Sequence, residues 1–420
     1  MRWILTSLAD VDFYKLTMLQ LYWKFHLAVT GRYGFKNRTV RVQLARKIGV
    51  KELRRQFRHG RTLRFTDEEI AYLAEVSEKR GGLFEPEFLE FLRGLQLSPI
   101  HVSLSEDGTQ LIIETPEEAR LVDSMLWETL VMNIVNELYI EGEKHELGLT
   151  DDDLWAEGDR RLTAKIVALN EAHDRGLPVP FIDFGTRRRR SLAWQEHVLR
   201  RLMAELRPGL LMGTSNVLLA MRTGLNVVGT MAHECDMAYQ GIYHAEDNAA
   251  GRLVSHERML DDWFALYGDM LSIALSDTYG SEYFLRTFGE ARARAWKGQR
   301  QDSGDPFDWG ERFIAYYREL GIDPIAKVGV FSDGLDVRKM IALAERFVGW
   351  MTFQFGWGTD LMFDMGIDPI SIVVKLMWCA GHDLGKLTDN IQKAIGGEAV
   401  VTRLVGLADY HGHFSEECRV

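Results

Sequence analysis

The sequence predicts an α/β protein of two units, in which parallel strands and crossover helices form the larger unit and close, or nearly close, into a barrel. The chain has 420 residues, more than the ~150 residues of a typical single domain. Apolar residues make up 46% of it, which allows a sizeable core and excludes a disordered or fibrous chain. From about residue 179, short apolar runs alternate with helical patterns, as is typical of parallel strands with crossover helices.

Several apolar runs have the length and the small or polar ends of a buried strand. They are Val179–Phe184, Leu210–Met212, Val227–Gly229, Leu271–Leu275, Ala295–Gly298, Ile325–Phe331 and Met351–Phe355. Their number and total span favour a barrel over an open sheet. One helix is predicted after Ser191, and another begins near Asp336, which is expected to cap it.

The first 135 residues form the smaller unit in this prediction. Asp10 is expected to cap a helix that carries Tyr14 in its first turns. Residues 125–140 are apolar all round, which predicts a buried connecting helix. Residues 36–64 contain eleven Lys or Arg and one acid, and a solvated face explains this basic arm better than contact with RNA.

The overall charge and the cysteines exclude several classes of protein. Fifty basic and 61 acidic residues give a formal charge of −11, which argues against general affinity for nucleic acid or for a membrane surface. Lys375 interrupts the strongest apolar candidate for a membrane span. Cys235, Cys379 and Cys418 form no C-x-x-C pair, so neither a disulfide framework nor a cysteine zinc site is expected, and the cytoplasm is the predicted compartment.

Polar clusters follow the predicted strands, at the edge where α/β proteins form active sites. After the first strand, Phe184 either stacks on a planar ring or fills the core, and both alternatives stay open. Four arginines follow at residues 187–190. Because successive side chains cannot all point one way, one or two are expected to face a ligand, and the others to pair with acids or solvent.

The next two predicted strands end in small residues whose backbone N–H groups suit phosphate or carboxylate capture. The first of these turns contains Ser215, and the second contains Thr230 and His233. A histidine in this position can act as a base, a ligand or a nucleophile, although a purely structural role is also common. No H-x-x-x-H or H-E-x-x-H pattern is present, which argues against a zinc site.

The later strands are followed by groups that suit a phosphorylated sugar. Arg300 can neutralise diphosphate oxygens while Asp302 holds hydroxyls or a metal. One acid of the segment that contains Asp333 can bind ribose hydroxyls, and the turn at Gly358 and Thr359 can hold a phosphomonoester on backbone donors. No G-x-S-x-G, P-loop or dinucleotide-binding pattern is present, which disfavours hydrolase, P-loop and hydride-transfer functions.

Taken in chain order, these blocks resemble the nicotinate phosphoribosyltransferase family over nearly the whole chain. The blocks are Asp12–Met18, Leu126–Glu128, Phe184–Arg189, Gly213–Asn216, Gly229–Glu234, Arg300–Pro306, Phe331–Asp333 and Lys386–Asp389. The resemblance implies an irregular α/β barrel of the type II phosphoribosyltransferase kind over residues 136–384. It also implies a smaller α+β domain, made of residues 1–135 joined by part of residues 385–420.

The resemblance implies an activity as well: nicotinate and 5-phosphoribosyl 1-pyrophosphate give nicotinate mononucleotide and pyrophosphate in NAD salvage, with ATP as co-substrate and Mg²⁺ as cofactor. His233 matches the histidine that ATP phosphorylates. In the implied homodimer, Tyr14 reaches into the neighbour's site and stacks on the pyridine, while Phe184 covers its other face. The remaining matched positions, catalytic or substrate-binding, are Arg187, Ser215, Thr230, Arg300, Asp302, Asp333, Gly358 and Thr359.

Three alternatives and several details stay open at this point. Nicotinamide relatives carry an aspartate where Ser215 stands, so Ser215 favours the acid over the amide. A nicotinamide or quinolinate phosphoribosyltransferase is nevertheless an alternative, as is, more remotely, an RNA-binding protein on a barrel without catalysis. The metal ligands, the group that orients His233, and the arginine that meets the nicotinate carboxylate are not determined by the pattern.

Overall fold

The computed structural model describes residues 2–247 and 252–412 and shows two β-sheets flanked by helices. The strands are β1 (Gly31–Asn37), β2 (His101–Leu104), β3 (Leu111–Glu114), β4 (Phe181–Asp183), β5 (Leu211–Thr214), β6 (Ile273–Leu275), β7 (Gly298–Gln301), β8 (Val328–Phe331), β9 (Thr352–Trp357), β10 (Ile372–Cys379) and β11 (His382–Asp383).

The α-helices connect and cover these strands. They are α1 (Phe13–Phe25), α2 (Leu44–Lys47), α3 (Val50–Gly60), α4 (Asp67–Lys79), α5 (Pro86–Gly94), α6 (Leu121–Ser124), α7 (Trp127–Leu147), α8 (Asp151–Asp174), α9 (Leu192–Glu205), α10 (Val217–Thr223), α11 (Glu234–Ile242), α12 (Val254–Tyr267), α13 (Ser281–Ala295), α14 (Pro306–Glu319), α15 (Val337–Phe347), α16 (Thr359–Met362) and α17 (Glu398–Ala408). Short 3₁₀ helices lie at Gly268–Leu271, Pro324–Ala326 and Ile391–Lys393.

The larger sheet is parallel and has the order β5-β4-β9-β8-β7-β6. Beyond β5, Val227 forms a parallel bridge to Thr214. Three residues later, the Thr230 hydroxyl donates to the Ile273 carbonyl of β6 at 3.4 Å. The two edges of the sheet therefore meet through a side chain, and the strand ladder itself stays open in the described residues. The mixed α/β fold predicted from the sequence is confirmed, with an incomplete barrel.

One strand lies three residues later than the apolar pattern predicts. The predicted run Ala295–Gly298 ends where β7 begins, so Arg300 lies within the strand and not after it. Gln299 and Gln301 are polar although they are buried. The strand therefore contains no run of apolar residues that would predict its position. A Cβ atom on Gly298 would lie 1.8 Å from the Val328 carbonyl oxygen, so the close pairing with β8 requires glycine here.

The smaller sheet is antiparallel, has the order β11-β10-β1-β3-β2, and joins the two ends of the chain. β1 pairs along its whole length with β10, which contributes Lys375 to the inner part of the molecule. The predicted domain boundaries at residues 135/136 and 384/385 stay predictions, and residues 413–420 of the terminal segment lie outside the described residues.

Local capping signals predicted two helix starts correctly and one incorrectly. The side chains of Ser191 and Asp336 accept from backbone N–H groups in the first turns of α9 and α15. Asp10 does not cap α1, whose preceding residue is Asp12. The Asp10 carboxylate binds the guanidinium of Arg189 instead, because a buried carboxylate is stabilised most strongly by a charged partner.

The first four turns of α7 are buried, which confirms the connecting helix predicted around residues 125–140. In residues 2–247 and 252–412, no helix has both the length and the apolar composition to cross a membrane. Cys235 and Cys379 are buried free thiols, and Cys418 lies outside the described residues.

Candidate active site

A cavity of about 820 Å³ opens where the parallel strands end, a volume that suits a small-molecule ligand. Nearly all the site residues predicted from the sequence line this one cavity. They are Tyr14, Phe184, Arg187, Ser215, His233, Arg300, Asp302, Asp333, Gly358 and Thr359. Thr230 does not line it, because its hydroxyl faces the Ile273 carbonyl.

The four consecutive arginines divide into two pairs with different surroundings. Arg187 and Arg188 line the cavity. Arg189 and Arg190 are both buried. Arg189 binds Asp10 through both terminal nitrogens, and Arg190 pairs with the exposed Asp151. Two of the arginines thus line the cavity and two pair with acids, while the prediction that one or two of them face a ligand stays a prediction.

We expect Arg189→Ala to lower the free energy of unfolding by about 3–5 kcal/mol, because Asp10 would be left buried without its charged partner. Arg207→Ala is the matched control. Arg207 pairs with Asp174 at the surface, where the two side chains are 50% and 52% exposed, so losing that pair should reduce stability by about 0–1 kcal/mol. Urea denaturation of both variants measures the difference, and equal losses would contradict a structural role specific to Arg189.

Two aromatic rings form part of the cavity wall. The Phe184 ring lies against Gly356, where a Cβ atom would be 2.4 Å from its Cδ2, so the ring both fills the wall and faces the cavity. The Tyr14 ring lies beneath the Arg187 guanidinium, 5.3 Å from centroid to Cζ. The Tyr14 hydroxyl is buried and has no hydrogen-bond partner among the described residues. A buried unpaired hydroxyl of this kind is suited to a ligand.

Tyr14 lies within the cavity of its own chain. The residue is 6% exposed. It is held there by the start of α1, because the Phe13 N–H donates to the Ser215 carbonyl at 2.7 Å. Within one chain, Tyr14 and Phe184 therefore line the same cavity, and the contribution of Tyr14 to a neighbour's site in a homodimer stays a prediction.

Buried ion pairs behind the cavity hold its elements together. The Lys15 ammonium pairs with both Glu128 and Glu234, and Lys375 donates to Glu128 at 2.9 Å. These contacts join α1, α7, α11 and β10. Glu234 is thereby directed at Lys15, away from the adjacent His233 ring.

The hydroxyl of Ser215 already has a partner inside the chain. It donates to the Asp12 carboxylate at 2.7 Å, and Arg187 Nε lies 2.9 Å from the same carboxylate. A ligand carboxylate that binds here must therefore compete with Asp12 for the donors of Ser215 and Arg187.

His233 is buried between two oxygen partners. Its Nδ1 lies 3.0 Å from the Thr278 hydroxyl, and its Nε2 lies 3.1 Å from a carboxylate oxygen of Asp302. Burial lowers the pKa of His233 to about 3, and the nearby Lys386 charge acts in the same direction. The imidazole is therefore neutral at pH 7, as an attacking nitrogen must be.

A hydroxyl and positively charged side chains lie near Asp302 on its other sides. Ser332 donates to it at 3.0 Å. Burial alone would raise the pKa of Asp302, but a hydrogen bond from His233, in the tautomer that carries its hydrogen on Nε2, and the charge of Arg300 hold that pKa well below its usual range. Arg300 donates through Nη1 to the Met231 carbonyl at 3.1 Å, which directs the guanidinium along the cavity wall.

The cavity contains carboxylates that fit a magnesium ion bound together with a phosphate. Mg²⁺ in phosphate-transfer sites is usually held by one or two carboxylates plus substrate oxygens. Asp302 and Asp333 both line the cavity, and Lys393 pairs with Asp333. Across the described residues, no cluster of three or more His, Cys, Asp or Glu side chains could hold a metal ion by itself.

Two protein-family models match this chain, each over a different stretch of residues. The model of the nicotinate phosphoribosyltransferase N-terminal domain matches residues 9–136, and that of the nicotinate phosphoribosyltransferase family matches residues 179–408. The second block alone spans more than half of the chain. The chain belongs to the nicotinate phosphoribosyltransferase family.

Solved structures of nicotinate phosphoribosyltransferases share the whole architecture. The enzyme from Vibrio cholerae is 31% identical with a TM-score of 0.84, over 97% of this chain and 94% of that one. The Porphyromonas gingivalis enzyme is 28% identical with a TM-score of 0.84, over 97% and 100% of the two chains. A putative nicotinate phosphoribosyltransferase from Saccharomyces cerevisiae is 27% identical with a TM-score of 0.83, over 98% and 100%.

Some cavity residues of this nicotinate phosphoribosyltransferase family member were not predicted as site residues. Arg38 belongs to the basic arm, and Lys375 lies in an apolar strand, so neither had a local signal for a site. Both line the cavity because β1 and β10 pair. Lys386 was part of a block that carries the resemblance and could have been proposed from its position. Thr278, which contacts His233 from outside the cavity, lies just beyond the predicted strand Leu271–Leu275 and could have been proposed in the same way.

Proposed function

We propose that this chain catalyses the ATP-assisted formation of nicotinate mononucleotide and pyrophosphate from nicotinate and 5-phosphoribosyl 1-pyrophosphate, a step of NAD salvage, through a phosphohistidine at His233. The observation that carries the proposal is the convergence of a neutral histidine, cationic side chains and two aromatic rings on one cavity. Membership of the nicotinate phosphoribosyltransferase family supports it.

Nicotinate binding makes use of the aromatic and cationic part of the cavity. The Phe184 and Tyr14 rings supply apolar surface for the pyridine. Arg187 supplies the charge for the carboxylate, with Ser215 beside it. The pyridine nitrogen is already a neutral nucleophile at pH 7, so the chain needs no strong general base and its task is to orient the ring.

In the transfer step, the pyridine nitrogen forms a bond to the anomeric carbon of the ribose. The bond from that carbon to the pyrophosphate oxygen breaks, and the oxygen leaves with the electron pair. Arg300 and Lys386 stabilise the charge that develops on this oxygen, while the backbone at Gly358 and Thr359 holds the 5-phosphate. Magnesium bound at Asp302 and Asp333 would supply further positive charge to the pyrophosphate.

In the ATP-dependent step, the Nε2 lone pair of His233 attacks the γ-phosphorus. The bond between this phosphorus and the bridging oxygen breaks, and ADP leaves with the electron pair. Water later cleaves the N–P bond and releases phosphate. The phosphoryl group adds negative charge beside Arg300 and Lys386, and so changes how strongly substrates and products bind.

Steady-state rates with nicotinate, nicotinamide and quinolinate test this proposal directly. We expect nicotinate to be the preferred pyridine and ATP to raise the rate. Nicotinamide is the important competitor, because the Asp12 carboxylate beside Ser215 is an acceptor that suits an amide. A preference for nicotinamide or quinolinate would overturn the assignment of the substrate.

Activity with 5-phosphoribosyl 1-pyrophosphate should fall as the pH rises through about 7. Burial lowers the pKa of Lys386 to about 7, so its positive charge is present below this pH and is lost above it. Burial raises the pKa of Asp277 to about 7, and its added negative charge acts in the same direction. The pH profile of kcat/KM reports groups of the free enzyme and is the appropriate measurement.

Lys386→Gln should lower kcat/KM at pH 6 and make the fall above pH 7 shallower. Lys297→Gln serves as the control, since Lys297 is half exposed and pairs with Asp269 at the surface. An alkaline fall of unchanged depth in Lys386→Gln would contradict the assignment to this lysine.

Three other expectations remain predictions. The resemblance implies a homodimer with shared active sites, while the cysteines and the overall charge indicate a cytoplasmic location and a lack of affinity for nucleic acid. Many charges of the basic arm are engaged within the fold: Lys47 pairs with Glu143, and Arg54 donates to the Val102 carbonyl at 2.7 Å. These contacts favour the interpretation of the arm as an ion-paired face.

A further inference from the structure

A chain of buried hydrogen bonds extends from His233 away from the cavity. The Thr278 hydroxyl lies 3.0 Å from His233 Nδ1 and donates to one carboxylate oxygen of Asp236 at 2.7 Å. The other oxygen of Asp236 lies 2.7 Å from Nδ1 of His256. Thr278, Asp236 and His256 are each no more than 2% exposed, and none of them lines the cavity.

His256 lies at the far end of this series of hydrogen bonds. His256 Nε2 is buried and has no hydrogen-bond partner among the described residues, and the rings of Tyr279 and Phe284 pack around the imidazole. Among the described residues, Asp236 is therefore the one hydrogen-bonding partner of the His256 ring, and the ring directs its Nδ1–H at the carboxylate.

Thr278 has one hydroxyl hydrogen and two neighbours. A carboxylate oxygen only accepts, so the contact with Asp236 takes this hydrogen. The oxygen of Thr278 then offers a lone pair to His233, and the matching arrangement is a hydrogen on His233 Nδ1. The backbone of Thr278 is itself fixed, because the Leu387 N–H donates to its carbonyl at 2.9 Å.

We infer that Thr278, Asp236 and His256 form a relay that positions His233 for phosphorylation by holding its hydrogen on Nδ1 and leaving the lone pair on Nε2. The inference rests on the proposed phosphohistidine and assigns a role to residues that the transfer of the phosphoribosyl group does not use. Asp236 is a positioning residue in this relay, because it acts through Thr278 and touches no substrate.

A second carboxylate opposes the relay. Asp302 lies on the Nε2 side at 3.1 Å and favours the other tautomer, in which Nε2–H donates to it. A neutral imidazole carries one hydrogen and satisfies one side only. The relay therefore sets the fraction of His233 that is in the tautomer able to attack ATP. A substitution that removes the hydrogen bond from Thr278 to Asp236 shifts the hydrogen toward Nε2.

The relay also stabilises the product of the attack. When Nε2 forms its bond to phosphorus, Nδ1 still carries its hydrogen and the ring becomes positively charged. Asp236 then stabilises this charge through Thr278, as the carboxylate of a serine–histidine–aspartate triad stabilises its imidazolium. Loss of the phosphoryl group to water returns the ring to the neutral Nδ1–H form.

Asp236→Asn tests the relay with little change of shape. The new amide can donate to Thr278, which turns the Thr278 hydrogen toward His233 Nδ1 and favours the inactive tautomer. With ATP labelled at the γ-phosphate, rapid-quench measurements should show phosphoenzyme formation slowed on the order of 10-fold or more, with little change in the ATP concentration that gives the half-maximal rate.

Asp247→Asn is the matched control. Asp247 is also buried and accepts a hydrogen bond from the Ser255 hydroxyl at 2.9 Å. Ser255 precedes His256 in the sequence, but neither Ser255 nor Asp247 belongs to the relay. Phosphoenzyme formation in this variant should stay within about twofold of the unmodified chain. Equal rates in the unmodified chain and Asp236→Asn would overturn the relay alone, whereas an unmodified chain that never forms phosphoenzyme would overturn the proposed ATP coupling.

Nitrogen NMR of the unmodified chain, labelled at histidine, gives a test that does not depend on how a variant folds. His233→Gln identifies the resonances of His233 by their disappearance. The relay predicts a protonated Nδ1 and an unprotonated Nε2 in the absence of ATP, together with a protonated Nδ1 on His256. A predominantly protonated Nε2 on His233 would overturn the relay.

Discussion

Replacing Arg300 by alanine is expected to lower kcat/KM for 5-phosphoribosyl 1-pyrophosphate by about 100-fold or more, because a preplaced donor to a leaving group commonly contributes about 3 kcal/mol to transition-state stabilisation. The guanidinium is already oriented by its bond to the Met231 carbonyl, and its Nε is buried without a hydrogen-bond partner among the described residues. Little reorganisation is therefore needed when the pyrophosphate departs. Initial rates at varied substrate concentration measure the effect.

Two further variants show whether the effect depends on the donor geometry of Arg300 and on its location in the cavity, or only on the loss of a positive charge. Arg300→Lys keeps the charge but loses the planar fork of donors, so its activity should lie between those of the unmodified chain and Arg300→Ala. Arg292→Ala removes an arginine that pairs with Asp261 outside the cavity, and its kinetics should not change. Normal kinetics in a folded Arg300→Ala protein would assign Arg300 to structure alone.

Replacing His233 by alanine is expected to abolish the stimulation by ATP while slow ATP-independent transfer continues. The phosphoryl acceptor is removed, whereas Arg300 and the aromatic wall remain in place. The ratio of the rates with and without ATP should fall to about 1, because general acid–base and nucleophilic contributions vanish with the side chain that makes them. Mass spectrometry should find acid-labile phosphate on His233 in the unmodified chain after incubation with ATP.

His256→Ala is a useful comparison for that experiment, because His256 belongs to the relay but cannot receive phosphate from the cavity. It should slow the formation of phosphoenzyme without preventing it. ATP stimulation that persists in His233→Ala would remove this histidine from the ATP-dependent mechanism, whatever the behaviour of the relay.

Much of the fold could be predicted because the responsible signals are local. Strands β4, β8 and β9 are apolar and end in turn residues, and the caps at Ser191 and Asp336 lie next to the helices that they start. The polar strand β7 was placed too early, since Gln299 and Gln301 are buried by their neighbours and not by their own chemistry. Asp10 was misassigned as a cap because its partner, Arg189, is far away in sequence.

The residues of the candidate site could likewise be predicted only in part. The convergence of the strand-end clusters followed from parallel topology, which brings the carboxyl ends of neighbouring strands to one edge. Arg38 and Lys375 reach the cavity only because β1 and β10 pair, and no pattern near either residue announces this. The division of the four arginines likewise depends on where Asp10 and Asp151 lie.

The sequence by itself determined the kinds of chemical group that this protein brings together, because residue types and their order along parallel strands are local properties. Only the tertiary structure decided the partner of each group, and hence its charge and the position of its hydrogen. His233 shows the reason: its pKa and tautomer depend on burial, on Lys386, and on oxygens of Thr278 and Asp302 that are distant in sequence and adjacent in space.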